Sequence, residues 1–307
     1  MPGKPLPPGS TIGILGGGQL GRMLALAAGQ LGLKCHIFAP EADSPAFPVS
    51  AAHTVAGYED EGALERFAAA VDAVTYEFEN VPVTCVRFLE QRVPVRPGAK
   101  ALEVAQDRLK EKALARQLGA ATAEFAAVNS LPDLQAAVAA IGTPAILKTT
   151  RFGYDGKGQA KINSVADIDA AWAQMKGAPS ILESFVRFER EVSVIAARGL
   201  DGRMAAFEVT ENVHRNHILH TSTVPAHVPE ELAAEAVFIA QRFLETLDYV
   251  GVMGVEFFVG ADVIYVNEIA PRVHNSGHWT QDACTVSQFE QHIRAVAGWP
   301  LGATLRH

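Results

Sequence analysis

Short apolar runs and stretches of helical periodicity alternate along the first hundred residues. Thr11–Leu15 is apolar and ends in Gly16-Gly17-Gly18; Leu20, Met23, Leu24, Ala27 and Leu31 then recur at helical spacing. Gly32 closes that helix, and 34–38 reads as the next strand. A helix over 62–71, a strand over 73–79, a helix over 83–91 and a short strand before Pro97 continue the pattern. This alternation predicts an α/β domain with a parallel sheet.

The middle of the chain has a different rhythm. Residues 100–118 predict one charged amphipathic helix with Leu102, Leu109, Leu114 and Leu118 on its apolar side. A strand at Phe125 and Val128 follows, then a helix Leu131–Ile141 behind the Asn129-Ser130 cap and a strand Ala145–Thr149. The segment 151–159, RFGYDGKGQ, is too polar and glycine-rich for either element. A strand over 160–162, a helix over 165–175 and a strand over 180–185 complete a small α+β module. From Glu191 onward apolar alternation dominates, interrupted by a helix over 230–247 and closed by one over 285–297.

Within that last region, the apolar runs 252–259 and 263–269 flank Gly260-Ala261-Asp262, a hairpin signature. Each run carries a carboxylate where an alternating strand should be apolar: Glu256 and Glu268. A turn that consumes residues 261–263 sets Glu256 directly opposite Glu268; a two-residue turn sends them to opposite faces. Two carboxylates converging on an apolar sheet repel, and desolvation adds to the cost. A divalent cation with hard oxygen ligands, Mg²⁺ or Mn²⁺, resolves both. The alternative is that one carboxylate pairs with Arg272 and the other faces water.

Composition narrows the setting. A chain of 307 residues, 49% hydrophobic and 20% charged, suits two or three modest soluble domains. The net charge of −8 argues against general binding to nucleic acid or membrane surfaces, while leaving room for a basic pocket. Cys35, Cys85 and Cys284 are far apart and form no CxxC pair, which predicts reduced thiols in a cytoplasmic protein. The Pro/Gly-rich start lacks the apolar core of a signal peptide, and no apolar run is long enough to span a membrane.

Other segments carry candidate chemistry. The glycines at 16–21 match G-x-G-x-x-G between a strand and a helix, a place where backbone can approach a phosphate. The next strand ends Phe38-Ala39-Pro40 without the acidic tip a nicotinamide ribose wants, so a phosphate-bearing small substrate fits better; a ligand-free tight turn is the other reading. Lys148 ends an apolar strand and is followed by the loop Gly153-Tyr154-Asp155-Gly156-Lys157-Gly158. A strand lysine with a glycine-rich flap suits nucleotide triphosphate binding, although no Walker sequence is present. Glu183 and its successors suit a hinge whose backbone reads adenine, with Glu191 accepting from ribose hydroxyls. His214, His217 and His220 do not share a strand face, which disfavours a metal trio. The run 271–279, PRVHNSGHW, is dense in donors for an anion such as phosphate or bicarbonate.

Four motifs in order, 16–23 (GGGQLGRM), 153–159 (GYDGKGQ), 249–256 (YVGVMGVE) and 267–281 (NEIAPRVHNSGHWTQ), resemble the ATP-grasp superfamily. Within it, the chain resembles the 5-(carboxyamino)imidazole ribonucleotide synthases of purine biosynthesis, from about residue 11 to its end. The resemblance implies an N-terminal doubly wound parallel-sheet domain (1–107) and two α+β domains (108–188 and 189–307) that clasp ATP, the last one truncated. It implies an ATP-dependent carbon–nitrogen ligase, a homodimer, acting on ATP, bicarbonate and 5-aminoimidazole ribonucleotide through carboxyphosphate. ATP contacts are implied at Arg108, Lys148, Gly153, Gly156, Gly158, Glu183, Val186, Glu191, His214, Asn267 and Glu268, with metal at Glu256 and Glu268. Catalytic roles are implied for Tyr154, Asp155, Lys157 and Arg272. Substrate contacts are implied at Gln19, Leu20, Glu79, Arg272, His274, Asn275 and Ser276. Two departures stand out: Ala270 replaces the asparagine that often follows the second carboxylate, and the chain stops at His307, before a basic segment the family carries. These leave a truncated, non-catalytic nucleotide-binding protein of the same fold as the alternative.

Overall fold

A computed structural model describes residues 4–151, 158–216 and 218–307. The first sheet contains β1 (Thr11–Leu15), β2 (Lys34–Ala39), β3 (Ala52–Val55) and β4 (Ala73–Tyr76), parallel throughout in the order β3-β2-β1-β4. Helices α1 (Gln19–Gln30), α2 (Glu61–Ala69), α3 (Val83–Glu90) and α4 (Ala99–Ala105) accompany it. The parallel α/β expectation holds. Edge strand β3 has too little apolar content to announce itself in the sequence, and its residues are mostly exposed. The expected strand 73–79 stops at Tyr76, and the strand before Pro97 is reduced to a bridge between Val74 and Val95.

The expected single helix 100–118 is two helices, α4 and α5 (Arg108–Gln117). Asp107 breaks it: its carboxylate accepts from the backbone of Leu109 and Lys110 and starts a new helix in place of continuing the old one. The second sheet holds β5 (Phe125–Val128), β6 (Ala145–Thr149), β7 (Gln159–Ile162) and β8 (Ser180–Ser184), antiparallel in the order β5-β8-β6-β7. Helices α6 (Leu131–Ile141) and α7 (Ile168–Met175) bury Leu134, Val138, Ile168 and Met175 against it.

The third sheet is antiparallel and contains β9 (Arg190–Arg198), β10 (Met204–Ala206), β11 (Thr210–Arg215), β12 (Ile218–Thr223), β13 (Gly251–Val259) and β14 (Ile264–Ala270). Its main path is β12-β11-β9-β13-β14. Helix α8 (Glu230–Thr246) packs Ile239, Phe243 and Leu244 on one face. The short α9 (Thr280–Ala283) leads to α10 (Gln288–Ala297), which begins at the Ser287 cap, later than the expected 285. Phe289, Ile293 and Val296 of α10 share one core with Ile12, Ile14 and Leu24 of the first sheet and its helix. That shared core joins the first and third sheets. No helix of the described residues is long and apolar enough to cross a membrane, and Cys35, Cys85 and Cys284 are free and buried.

Candidate active site

Glu256 on β13 pairs with Glu268 on β14, as the sequence predicts, but by a different route. The loop covers 260–263, because Val259 pairs with Ile264; alone it would bring Asn267 opposite Glu256. A bulge after Glu256 absorbs one residue and restores the Glu256–Glu268 pairing. Asn267 and Glu268 are consequently both partly accessible from the cleft, and the Asn267 side chain hydrogen-bonds Glu256.

Glu256 also accepts from His274 Nε2 at 3.2 Å. Burial alone would raise its carboxyl pKa, but the hydrogen bond from His274, aided by His214 and Asn267, holds it below the usual range. Behind His274 lies a buried relay. Asn212 Nδ2 donates to Ser193 Oγ (2.9 Å), Ser193 Oγ to Ser276 Oγ (2.7 Å), and Ser276 Oγ lies 2.8 Å from His274 Nδ1. The relay leaves Nδ1 as acceptor and Nε2 as the donor facing Glu256. Ser276, expected to touch substrate, is fully buried and reaches the cleft only through His274.

The opposite wall comes from the second sheet. Ile146 pairs with Glu183, so Lys148, two residues on, shares a face with it. Lys148 Nζ lies 2.8 Å from Glu183 Oε2, and the buried Lys112 Nζ lies 3.6 Å from Oε1. Burial would raise the Glu183 pKa, yet Lys148 and Lys112 outweigh it and bring it down to about 2. Arg108, the first residue of α5, reaches 3.5 Å from Glu268 and joins the two walls. Glu191 is held by His214 Nδ1 at 2.7 Å, a contact that raises the His214 pKa against its burial.

Glu79, Arg108, Lys148, Glu183, Val186, Glu191, His214, Glu256, Asn267, Glu268, Arg272, His274 and Asn275 line one cleft of about 570 Å³. Arg272 Nε donates to Glu79 at the end nearest the first domain. Gly158 stands outside the cleft lining, where its carbonyl accepts from Thr149 N. Gly153, Tyr154, Asp155, Gly156, Lys157 and His217 lie outside the described residues.

The glycine-rich turn departs from expectation. Glu77, just past β4, accepts from the backbone N–H groups of Gly18 and Gly21, so a carboxylate of the chain occupies the α1 N-terminus where a phosphate was expected. Burial raises the Glu77 pKa, and those two N–H groups oppose it. Leu20 packs against the core, and Gln19 lines a second cavity of about 410 Å³ that shares Asn275 with the main cleft. Sequence reading missed Gln106, Glu111 and Lys112, which also line the cleft. Glu111 and Lys112 fall in the charged stretch read as one amphipathic helix over 100–118, and nothing in that local pattern separates buried charges from solvated ones.

The sequence matches the ATP-grasp domain family over residues 113–289 and the Ribonucleotide synthetase preATP-grasp domain family over residues 10–106. It is 53% identical over 305 residues to an N5-carboxyaminoimidazole ribonucleotide synthase of Brucella melitensis, covering 98% of this chain and 84% of that protein. A crystal structure of an ADP complex of N5-carboxyaminoimidazole ribonucleotide synthetase is 46% identical, with a TM-score of 0.95 over 99% of this chain and 81% of that one. An Aspergillus clavatus N5-carboxyaminoimidazole synthase, complexed with ADP and 5-aminoimidazole ribonucleotide, is 30% identical with a TM-score of 0.90, covering 97% and 79%.

Proposed function

Because the chain belongs to the N5-carboxyaminoimidazole ribonucleotide synthase family of ATP-grasp enzymes, we propose that it carboxylates the amino group of 5-aminoimidazole ribonucleotide with ATP and bicarbonate. The products are 5-(carboxyamino)imidazole ribonucleotide, ADP and phosphate. The observation that carries this reading is the single cleft in which the Glu256–Glu268 pair faces the Lys148–Glu183 pair. We divide the chain into domains at 1–107, 108–188 and 189–307, a division supported by the helix break at Asp107 and the step from the second sheet to the third.

In this reading Lys148 and Arg108 hold the ATP phosphates as fixed positive charge. Glu183 stays ionised at neutral pH and keeps the Lys148 ammonium in place. The backbone through Val186 meets adenine, and Glu191, steadied by His214, accepts from ribose hydroxyls. Glu256 and Glu268, with the Asn267 amide beside them, offer hard oxygen donors of the kind Mg²⁺ takes. Among the described residues no group of three or more His, Cys, Asp or Glu could hold a metal, so water and phosphate would complete the shell. When bound, the ion supplies neutralisation of charge on the transferring phosphoryl group.

Bicarbonate is a poor electrophile. Its oxygen attacks the γ-phosphorus of ATP, ADP leaves, and the resulting carboxyphosphate, or the carbon dioxide it releases, is captured by the exocyclic amine. The amine gives up a proton and inorganic phosphate departs. Arg272, braced by Glu79, sets a guanidinium beside the anions, and His274 and Asn275 supply further donors. Tyr154, Asp155 and Lys157 are assigned catalytic roles toward the aminoimidazole and the carboxyl donor, and Gln19, which lines a cavity with Asn275, is assigned to the ribonucleotide. Homodimer formation and a cytoplasmic location follow from the family reading.

The test is ADP release with ATP, Mg²⁺ and bicarbonate, with and without 5-aminoimidazole ribonucleotide. Strong stimulation by the ribonucleotide is expected; ATP binding without stimulation overturns the assignment.

A further inference from the structure

Helix α5 buries two consecutive ionisable side chains, Glu111 at 3% and Lys112 at 2% exposure. Side chains adjacent on a helix point about 100° apart, so both are buried only because α5 lies between two layers. Lys112 faces Glu183 of β8, and both residues reach β14.

β14 ends its sheet's main path, and α5 covers the side away from β13. Ala121 pairs with it at Tyr265, and Val266 N donates to Ala121 O at 2.8 Å. Beyond that point the two side chains take over. Lys112 Nζ donates to the carbonyls of Asn267 (3.0 Å) and Val266 (3.4 Å), while Glu111 Oε2 accepts from Ile269 N at 3.1 Å. The three gripped backbone groups bracket Asn267-Glu268, the segment that the bulge brings into register with Glu256. A bulge leaves its strand locally short of ladder bonds, and here helix side chains tie the same stretch down.

We propose that Glu111 and Lys112 are positioning residues: by gripping β14 on both sides of the bulge they aim Glu268 at Glu256 and so set how strongly Mg²⁺ enhances nucleotide binding. This rests on the assignment of Glu256 and Glu268 as metal ligands. Neither α5 residue touches the ion; both act through the strand that carries a ligand. Lys112 also contacts Glu183, the partner of Lys148, so one side chain spans the bulge and the phosphate-holding wall.

The experiment is calorimetric titration of ADP into the full chain, once with Mg²⁺ and once with EDTA, for wild type, Glu111→Leu, Lys112→Met, Glu111→Gln and Glu268→Gln. Glu111→Leu and Lys112→Met are expected to lower the Mg²⁺-dependent gain in ADP affinity about tenfold. Glu111→Gln keeps an acceptor for Ile269 N and is expected to retain the gain. It is also the variant least prone to misfold, so loss of the gain in Glu111→Gln overturns the grip as the cause. An unchanged gain in a folded Glu111→Leu or Lys112→Met overturns the proposal while Glu268→Gln still abolishes the gain. Persistence of the gain in Glu268→Gln overturns the metal assignment itself.

Discussion

Glu256 and Glu268 face each other across the β13–β14 ladder, one residue away from the pairing that their connecting loop would set by itself. The bulge that corrects the register also places Asn267 beside Glu256, so one irregularity supplies three oxygen-bearing side chains at one spot. The first prediction concerns that spot. Glu268→Gln keeps the shape and removes a charge, and ADP release stimulated by 5-aminoimidazole ribonucleotide should fall at least about 100-fold. Steady-state coupling assays beside a thermal melt check it; normal turnover in a folded variant removes the carboxylate from its role.

Glu183 is buried between Lys148 and Lys112, so loss of Lys148 strands much of a charge. Lys148→Met should weaken ATP binding and cost about 3 kcal/mol of stability. Adding Glu183→Gln, which takes the carboxylate from the buried Lys112 as well, should recover only part of the stability and none of the ATP affinity. Urea unfolding and ATP titration of the single and double variants separate the two effects.

His292 is fully buried, accepting from Val252 N at 3.0 Å and lying 2.8 Å from Thr75 Oγ1, so it pins the first sheet to the third. Burial depresses its pKa from 6.5 to about 4. Between those values the unfolded chain binds the proton and the folded one does not, so stability falls as pH drops through that window. Relative to His292→Asn, which does not titrate, the wild type should lose about 3 kcal/mol between pH 7 and pH 4. Denaturant midpoints at both pH values measure it, and a constant gap between the two proteins contradicts it.

Gly254 on β13 lies under His274: a Cβ there would stand 2.8 Å from His274 Cβ and 3.0 Å from Cγ. Gly254→Ala should cost about 1–3 kcal/mol and push the imidazole off Glu256. The expected signature is a drop in ribonucleotide-stimulated turnover larger than any change in metal-free ADP affinity. Equal losses in both would assign the effect to general destabilisation.

Removing Ser193 cuts the relay from Asn212 to His274 in the middle. Ser193→Ala leaves Ser276 without the hydroxyl that orients it, so both His274 tautomers become populated. Ring-nitrogen NMR of labelled His274 should show this mixture, against a single Nε2–H form in the wild type.

Residues near one another in sequence were largely legible before the fold was known. Period-two alternation singled out Glu256 and Glu268 as misplaced carboxylates on neighbouring strands and put Lys148 near the end of an apolar strand, while their direct pairing needed the bulge that only the fold shows. Helical spacing located α1, α6 and α8 to within about two residues, because an amphipathic face is a local property of the chain. Tertiary structure decided the rest. Whether Glu111 and Lys112 point to water or into a seam depends on where β8 and β14 lie relative to α5. Glu77 closes a helix N-terminus 56 residues earlier in the chain, and no local pattern encodes that distance. Ser276 and His274 divide into support and contact only once β9 is packed behind them. A side chain's face follows from the backbone period, but its surroundings follow from which layers meet there, and that is settled by packing across the whole molecule.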